Sequence, residues 1–163
     1  MSFIFNQVKS IEDSFIINQI NIADVIINLK TQWDERKTKF EVGILGFNKK
    51  ITNHLKINNP NCHFVFFTGL GIDKNSKSKR TNSIFESEKY IQKNLSKVSI
   101  IRPSIILGGG DKFSKSLLTL FKMSLIIPIV GNGKSKFQPV YIEDVANGID
   151  KIINYSTNES QIF

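Results

Sequence analysis

The chain has 163 residues, 40% of them hydrophobic and 22% charged, which is enough apolar material for a core and excludes wholesale disorder. Its only cysteine, Cys62, rules out an intrachain disulfide and a multi-cysteine metal centre. The net charge of +8 favours anionic partners, yet the cations are scattered and most Phe sit inside apolar runs, a pattern that disfavours a nucleic-acid interface.

In chain order, Ile11 to Ile20 has helical spacing, with Asp13 or Ser14 near its start. Ala23 to Leu29 (ADVIINL) is a Val- and Ile-rich run suited to a strand buried on both faces of a parallel sheet. Phe40 to Ile57 places Ile44, Leu45, Phe47, Ile51 and Leu55 close to a helical period, and Asn58 to Asn61, with Pro60, ends it. His63 to Phe67 (HFVFF) is a second buried strand, closed by Thr68-Gly69-Leu70-Gly71. A polar loop holds the densest basic cluster, Lys74 to Arg80, and runs to Asn82. Ser83 to Asn94 is the next amphipathic helix, with Ile84, Phe85 and Ile91 on its apolar side.

Val98 to Arg102 is a third strand, leading into Pro103 to Leu107, and Gly108-Gly109-Gly110 breaks the chain. Phe113 to Met123 is helical, Ile126 to Val130 extended, and Gly131-Asn132-Gly133 a turn. Phe137 to Ile142 is extended and Glu143 to Tyr155 helical, with Asp144 as a cap or first-turn acid. Strands alternating with helices through short connections specify a parallel sheet flanked by helices. No apolar run approaches the ~20 residues of a membrane span. Met1 to Lys9 lacks the layout of a signal peptide. A cytoplasmic protein is therefore expected, with peripheral attachment to a larger assembly left open.

Four motifs occur in a fixed order: FVFFTGLG, then Arg102 to Ser104 with Gly108 to Phe113, then Ile127 to Gly133, then Gln138 to Ala146. Together they resemble the atypical extended short-chain dehydrogenases, in particular the branch containing the accessory NADH-binding subunit of respiratory complex I. The resemblance covers most of residues 8–163. It implies an α/β Rossmann-like parallel sheet with flanking helices, one partial NAD(P)-binding domain over residues 1–163, lacking the first β-α-β unit. It also implies NAD or NADP at the carboxyl ends of the strands, with Asn28, Leu29, Thr68, Pro103 and Ser104 as the contact positions.

Three departures weigh against full activity. No Gly-rich turn of the kind that grips a pyrophosphate precedes the first recognisable strand, and Gly43 is the first glycine. Phe3 to Val8 corresponds to the end of the family's third strand, and Gln161 to Phe163 to the start of a later one, so both ends are expected to be cut. The family's Tyr and the Lys four residues on, which lowers its pKa, fall at Arg80 and Ile84 when the helix is aligned on Glu88. An arginine cannot exchange that proton near neutral pH.

The expected function is therefore a truncated, non-catalytic relative of the complex I accessory subunit and of the NAD-dependent epimerases and dehydratases. An active oxidoreductase or epimerase completed by a partner chain is the alternative, and a basic nucleic-acid-binding protein the second alternative. Expected partners are a respiratory complex or a second copy joined through an exposed sheet edge. Trp33, in the loop after the first strand, either packs that loop or stacks on a ligand. Lys30 departs from the small or apolar residue usual there, so it either crowds the cofactor's path or adds a phosphate contact. Thr68 either caps its turn or orients a ligand. Cys62 reads as a buried thiol, His54 as part of a solvated helix face, and Asp111 as a cap.

Overall fold

A computed structural model describes residues 13–123, 137–155 and 159–163. The extended segment read at Ile126 to Val130, the turn at Gly131 to Gly133 and the strand end at Phe3 to Val8 lie outside the described residues. The chain divides into two compact units, Met1–Arg102 with Ser156–Phe163, and Pro103–Tyr155.

The first unit begins with α1 (Ser14–Ile22), capped by the Asp13 carboxylate, which accepts from the Phe15 amide at 2.9 Å. Strand β1 (Val25–Asn28) follows, and after a loop a helix that opens as a π-helical stretch, Glu41–Gly46, and continues as α2 (Phe47–Asn58). One uninterrupted α-helix was expected over this span; the wider first turns change its local pitch, although Ile44, Ile51 and Leu55 still reach the core. Then come β2 (His63–Phe67), α3 (Lys79–Asn94) and β3 (Val98–Ile101). Helix α3 starts four residues before the predicted Ser83. Its first turn is all polar, so periodicity cannot reveal it; what starts it is the Ser78 hydroxyl, which accepts from the Thr81 amide at 3.3 Å.

The strands form one parallel sheet in the order β1-β2-β3-β6, where β6 is Gln161–Ile162. Ile26 faces Phe64, Val65 faces Ser99, and Ile100 faces Ile162. The first four residues of β2 are buried, as the unbroken apolar run requires of a strand covered on both faces. Phe64 and Phe66 stack at 6.5 Å between ring centres and pack with Ile51, Leu55, Ile91, Val98 and Ile100. Each such side chain contributes roughly 1.5–3 kcal/mol by leaving water. Among the described residues one polar atom in this core has no partner, the Thr52 hydroxyl.

The second unit has a parallel pair, β4 (Ile106–Leu107) with β5 (Val140–Tyr141), and two helices, α4 (Lys112–Met123) and α5 (Ile142–Tyr155). Gly110 turns the chain with a φ of +87°, which L-residues rarely adopt. Asp111 then caps α4, its Oδ1 accepting from the Ser114 amide at 2.7 Å. These amide bonds, that to Ser114 foremost, hold the Asp111 carboxyl below its ordinary pKa. Asp144 lies in the first turn of α5, where an acid complements the helix dipole. Phe113, Leu117, Leu118, Leu120 and Phe121 of α4 remain exposed.

Candidate functional site

In a parallel α/β sheet, ligands bind beyond the carboxyl ends of the strands. In the first unit those ends carry Asn28 and Leu29 after β1, Thr68 after β2 and Arg102 after β3. Asn28 is buried; its Nδ2 donates to Asn48 Oδ1 at 2.9 Å and its Oδ1 accepts from the Lys30 amide at 3.0 Å. Asn48 Nδ2 in turn donates to the Ile44 carbonyl, so this chain of amides ties the strand end to the helix that follows it. Leu29 is exposed. Pro103 and Ser104 are half-buried and belong to the second unit.

Thr68 takes part in a cluster that sequence reasoning missed. Its hydroxyl donates to Glu88 Oε1 at 2.7 Å. Arg102 Nε donates to the same oxygen at 3.1 Å and Arg102 Nη2 to Glu88 Oε2, making a two-pronged ion pair on a carboxylate that is 1% exposed. The contact to Glu88 raises the Arg102 pKa above its ordinary value. A signal was present in the sequence. Glu88 falls on the buried stripe of α3 between Ile84 and Ile91, and a carboxylate at a core position requires a cation.

The loop after β1 is organised by Arg80 at the start of α3. Arg80 Nε donates to the Gln32 carbonyl at 2.8 Å, Nη2 donates to Thr31 Oγ1 at 3.1 Å, and the guanidinium lies 4.3 Å from the Trp33 ring centre. Trp33 is otherwise exposed. Burial lowers the Arg80 pKa from its ordinary value, but a guanidinium still does not deprotonate in proteins. Ile84, one turn on, is buried. The two positions matching the family's proton-transfer pair thus hold a loop clamp and a core residue.

Lys30 places its ammonium 3.7 Å from the Phe47 ring centre, and burial lowers its pKa. Beside it the loop borders an open surface hollow of about 500 Å³.

Three other candidates are structural. Cys62 is buried, and desolvation pushes its thiol up to about 12, which leaves it inert near neutrality. His63 is buried with Nε2 2.9 Å from Ser99 Oγ, and desolvation first, then the Lys97 charge, lowers its pKa. His54 is half-buried, where a solvated face was expected. Its Nε2 lies 2.7 Å from Asn21 Oδ1, joining α1 to α2.

At this end of the sheet Asn28 and Thr68 each give a side-chain hydrogen bond to a protein partner, and Arg80 and Ile84 supply no pair suited to proton transfer.

The fold is that of NAD(P)-binding reductases and epimerases. It matches dTDP-4-dehydrorhamnose reductase from Bacillus anthracis, solved in complex with NADP, with a TM-score of 0.67 at 16% identity over 90% of this chain and 60% of that one. It also matches the Bordetella bronchiseptica enzyme WbmF, solved in complex with NAD+, with a TM-score of 0.68 at 16% identity over 94% of this chain and 56% of that one. No family model matches the sequence.

In sequence the chain is similar to the mitochondrial NADH dehydrogenase [ubiquinone] 1 alpha subcomplex subunit 9. Identity is 31% over 129 residues with the Mus musculus protein and 27% over 128 residues with the Arabidopsis thaliana protein. These alignments take in 78% of this chain, which spans about a third of the length of the curated relatives it matches. The resemblance carried by the motifs, to the extended short-chain dehydrogenases and within them to the complex I accessory branch, therefore holds.

Proposed function

We propose that this chain is a non-catalytic accessory component of a respiratory NADH dehydrogenase, using a nucleotide-binding fold as a scaffold. The observation that carries this reading is the pair Arg80 and Ile84. Where the family places its phenol and ammonium, Arg80 holds the Gln32 carbonyl and the Thr31 hydroxyl and Ile84 fills the core. Neither can pass a proton to a substrate near neutral pH.

Binding of NAD or NADP is then weak, its contacts falling on Asn28, Leu29, Thr68, Pro103 and Ser104, the first and third of which already serve protein partners. The mitochondrial relatives support a place peripheral to the inner membrane, reached through the complex. Among the described residues no helix is long and apolar enough to cross a membrane. The exposed apolar side of α4 supports association with another subunit. Self-association through β1, which among the described residues pairs only with β2, is the competing mode of assembly.

The test is titration of the purified chain with NADH and NADPH by calorimetry, alongside a turnover assay. Dissociation constants weaker than about 0.1 mM and no turnover are expected. Micromolar binding, or measurable hydride transfer, would contradict the reading.

A further inference from the structure

We propose that the loops after β1 and β2 form a docking surface for an anionic lipid bilayer, with Leu29, Trp33 and Leu70 entering the headgroup layer and the cations around them facing it. This goes beyond the accessory-subunit reading, which places the chain at a membrane only through the complex.

The two loops leave neighbouring strands at the same level, since Asn28 at the end of β1 lies beside Phe66 of β2. They present large apolar side chains to solvent: Leu29 is 62%, Trp33 75% and Leu70 66% exposed. Leu70 stands between two glycines, and an added Cβ at Gly69 or Gly71 would meet nothing within 4 Å, so the backbone on both sides of it faces open space. Gly71 turns this tip with a φ of +81°. Trp33 is exposed but not loose. The Arg80 guanidinium lies 4.3 Å from its ring centre and also donates to the Gln32 carbonyl and the Thr31 hydroxyl of the same loop. Gln32 Nε2 donates to the Asp34 carbonyl at 2.7 Å and to the Thr38 carbonyl, folding the loop on itself. A side chain held out before contact loses less entropy on docking.

Charge gathers on the same loops. Residues 29–39 and 69–80 carry eight Lys and Arg against three Asp and Glu, a surplus of five within the chain's net +8. The acids are engaged locally. Asp34 accepts from Arg36 Nη2 at 2.6 Å and also feels the Lys37 charge, Glu35 accepts from the Phe40 amide at 2.9 Å, and Asp73 accepts from the Asn75 amide at 3.2 Å. Lys37, Lys39, Lys74, Lys77 and Lys79 are exposed. A site for one small ligand would need these ammonium groups fixed in place. A charged plane does not: each lysine within a screening length of an anionic leaflet adds about five-fold in partitioning, wherever its flexible stem lies. Tryptophan settles at headgroup level, and the leucines add apolar area. Apolar tips ringed by flexible cations are thus matched by an anionic bilayer.

The experiment mixes the full chain with vesicles of phosphatidylcholine, with and without phosphatidylglycerol, and follows sedimentation and the emission of Trp33, the only tryptophan. Binding to the anionic vesicles with a blue shift is expected, weak on phosphatidylcholine alone and lost at about 1 M salt, where the screening length is about 3 Å. Lys74→Gln, Lys77→Gln and Lys79→Gln combined should weaken binding about ten-fold or more. A charge-matched control, Lys56→Gln, Lys93→Gln and Lys97→Gln combined, alters the opposite end of the sheet and should weaken it far less. Trp33→Ala and Leu70→Ser should each reduce sedimentation several-fold at unchanged charge. Leu70→Ser keeps the apolar arm valid should the loss of Trp33 disturb Arg80. No binding to the anionic vesicles, binding without a shift in Trp33 emission, equal loss in the two charge variants, or full binding by both apolar variants would overturn the proposal. So would binding to polyglutamate in preference to the vesicles, the outcome for an acidic protein partner. Failure here leaves the accessory-subunit reading standing, and success survives a failure of the chain to enter a respiratory assembly.

Discussion

Replacing Arg102 with Met tests the cluster at the carboxyl end of β3. Glu88 is 1% exposed and receives three hydrogen bonds, two from Arg102 and one from Thr68. Removing the guanidinium leaves a buried carboxylate with one hydroxyl. Breaking a buried pair from one side costs roughly 3–5 kcal/mol. Because the Arg102 side chain is 25% exposed, the lower end applies, about 3 kcal/mol. With a urea m-value of about 2 kcal/mol/M, the midpoint should fall by roughly 1.5 M.

Thr68→Val removes only the hydroxyl and should cost about 1.5 kcal/mol, the lower end for a bond to a charged group. The double variant Glu88→Gln with Arg102→Met should lie well above the sum of the singles, since the stranded charge is gone. Urea unfolding followed by circular dichroism at 222 nm measures all four. An Arg102→Met variant within about 0.5 kcal/mol of the parent, the range typical of neutral surface substitutions, would refute the reasoning.

Three further outcomes are expected. Thr52→Val should raise stability by about 1 kcal/mol, because it removes a buried hydroxyl without a partner while keeping the shape; a loss in thermal or urea stability would show that the hydroxyl is satisfied. His63 has a folded pKa below its unfolded value of about 6.5, so the unfolded chain takes up the proton first and stability falls as pH drops below that value, levelling off beneath the folded pKa. His63→Gln should flatten this slope between pH 7.5 and 5.5, and parallel midpoint curves for parent and variant would contradict it. Cys62, buried and with its thiol at about 12, should react with Ellman's reagent only as fast as the chain opens; full labelling within minutes in native buffer would disprove its burial.

The elements of the fold were legible where hydrophobic period and length agree. His63–Phe67 has the predicted bounds because five consecutive apolar or aromatic positions admit one buried strand, and Val98–Ile101 ends one residue before the predicted Arg102. The start of α3 was hidden because Lys79 to Asn82 are all polar, so only the Ser78 cap marks it. The π-helical turns at Glu41–Gly46 leave the apolar spacing nearly unchanged and are invisible to a periodicity argument.

At the site, the substitution of the proton-transfer pair by Arg80 and Ile84 was read from motif alignment, and the clamp on Thr31 and Gln32 gives Arg80 a structural reason to be there. Asn28, read as a cofactor contact, is spaced 20 residues from the Asn48 that satisfies it. Thr68 and Arg102 similarly meet Glu88 across 20 and 14 residues. Such pairings depend on how helices lie on the sheet, which local sequence does not encode.

The most direct test of the accessory-subunit account is co-migration. An epitope-tagged chain, expressed at native level, would be followed on native gels of detergent-solubilised respiratory membranes. The account predicts that the tag runs with the band that oxidises NADH and that the purified chain alone turns over no NADH or NADPH. A tag found only at the size of the free chain, together with turnover by that chain, would contradict it.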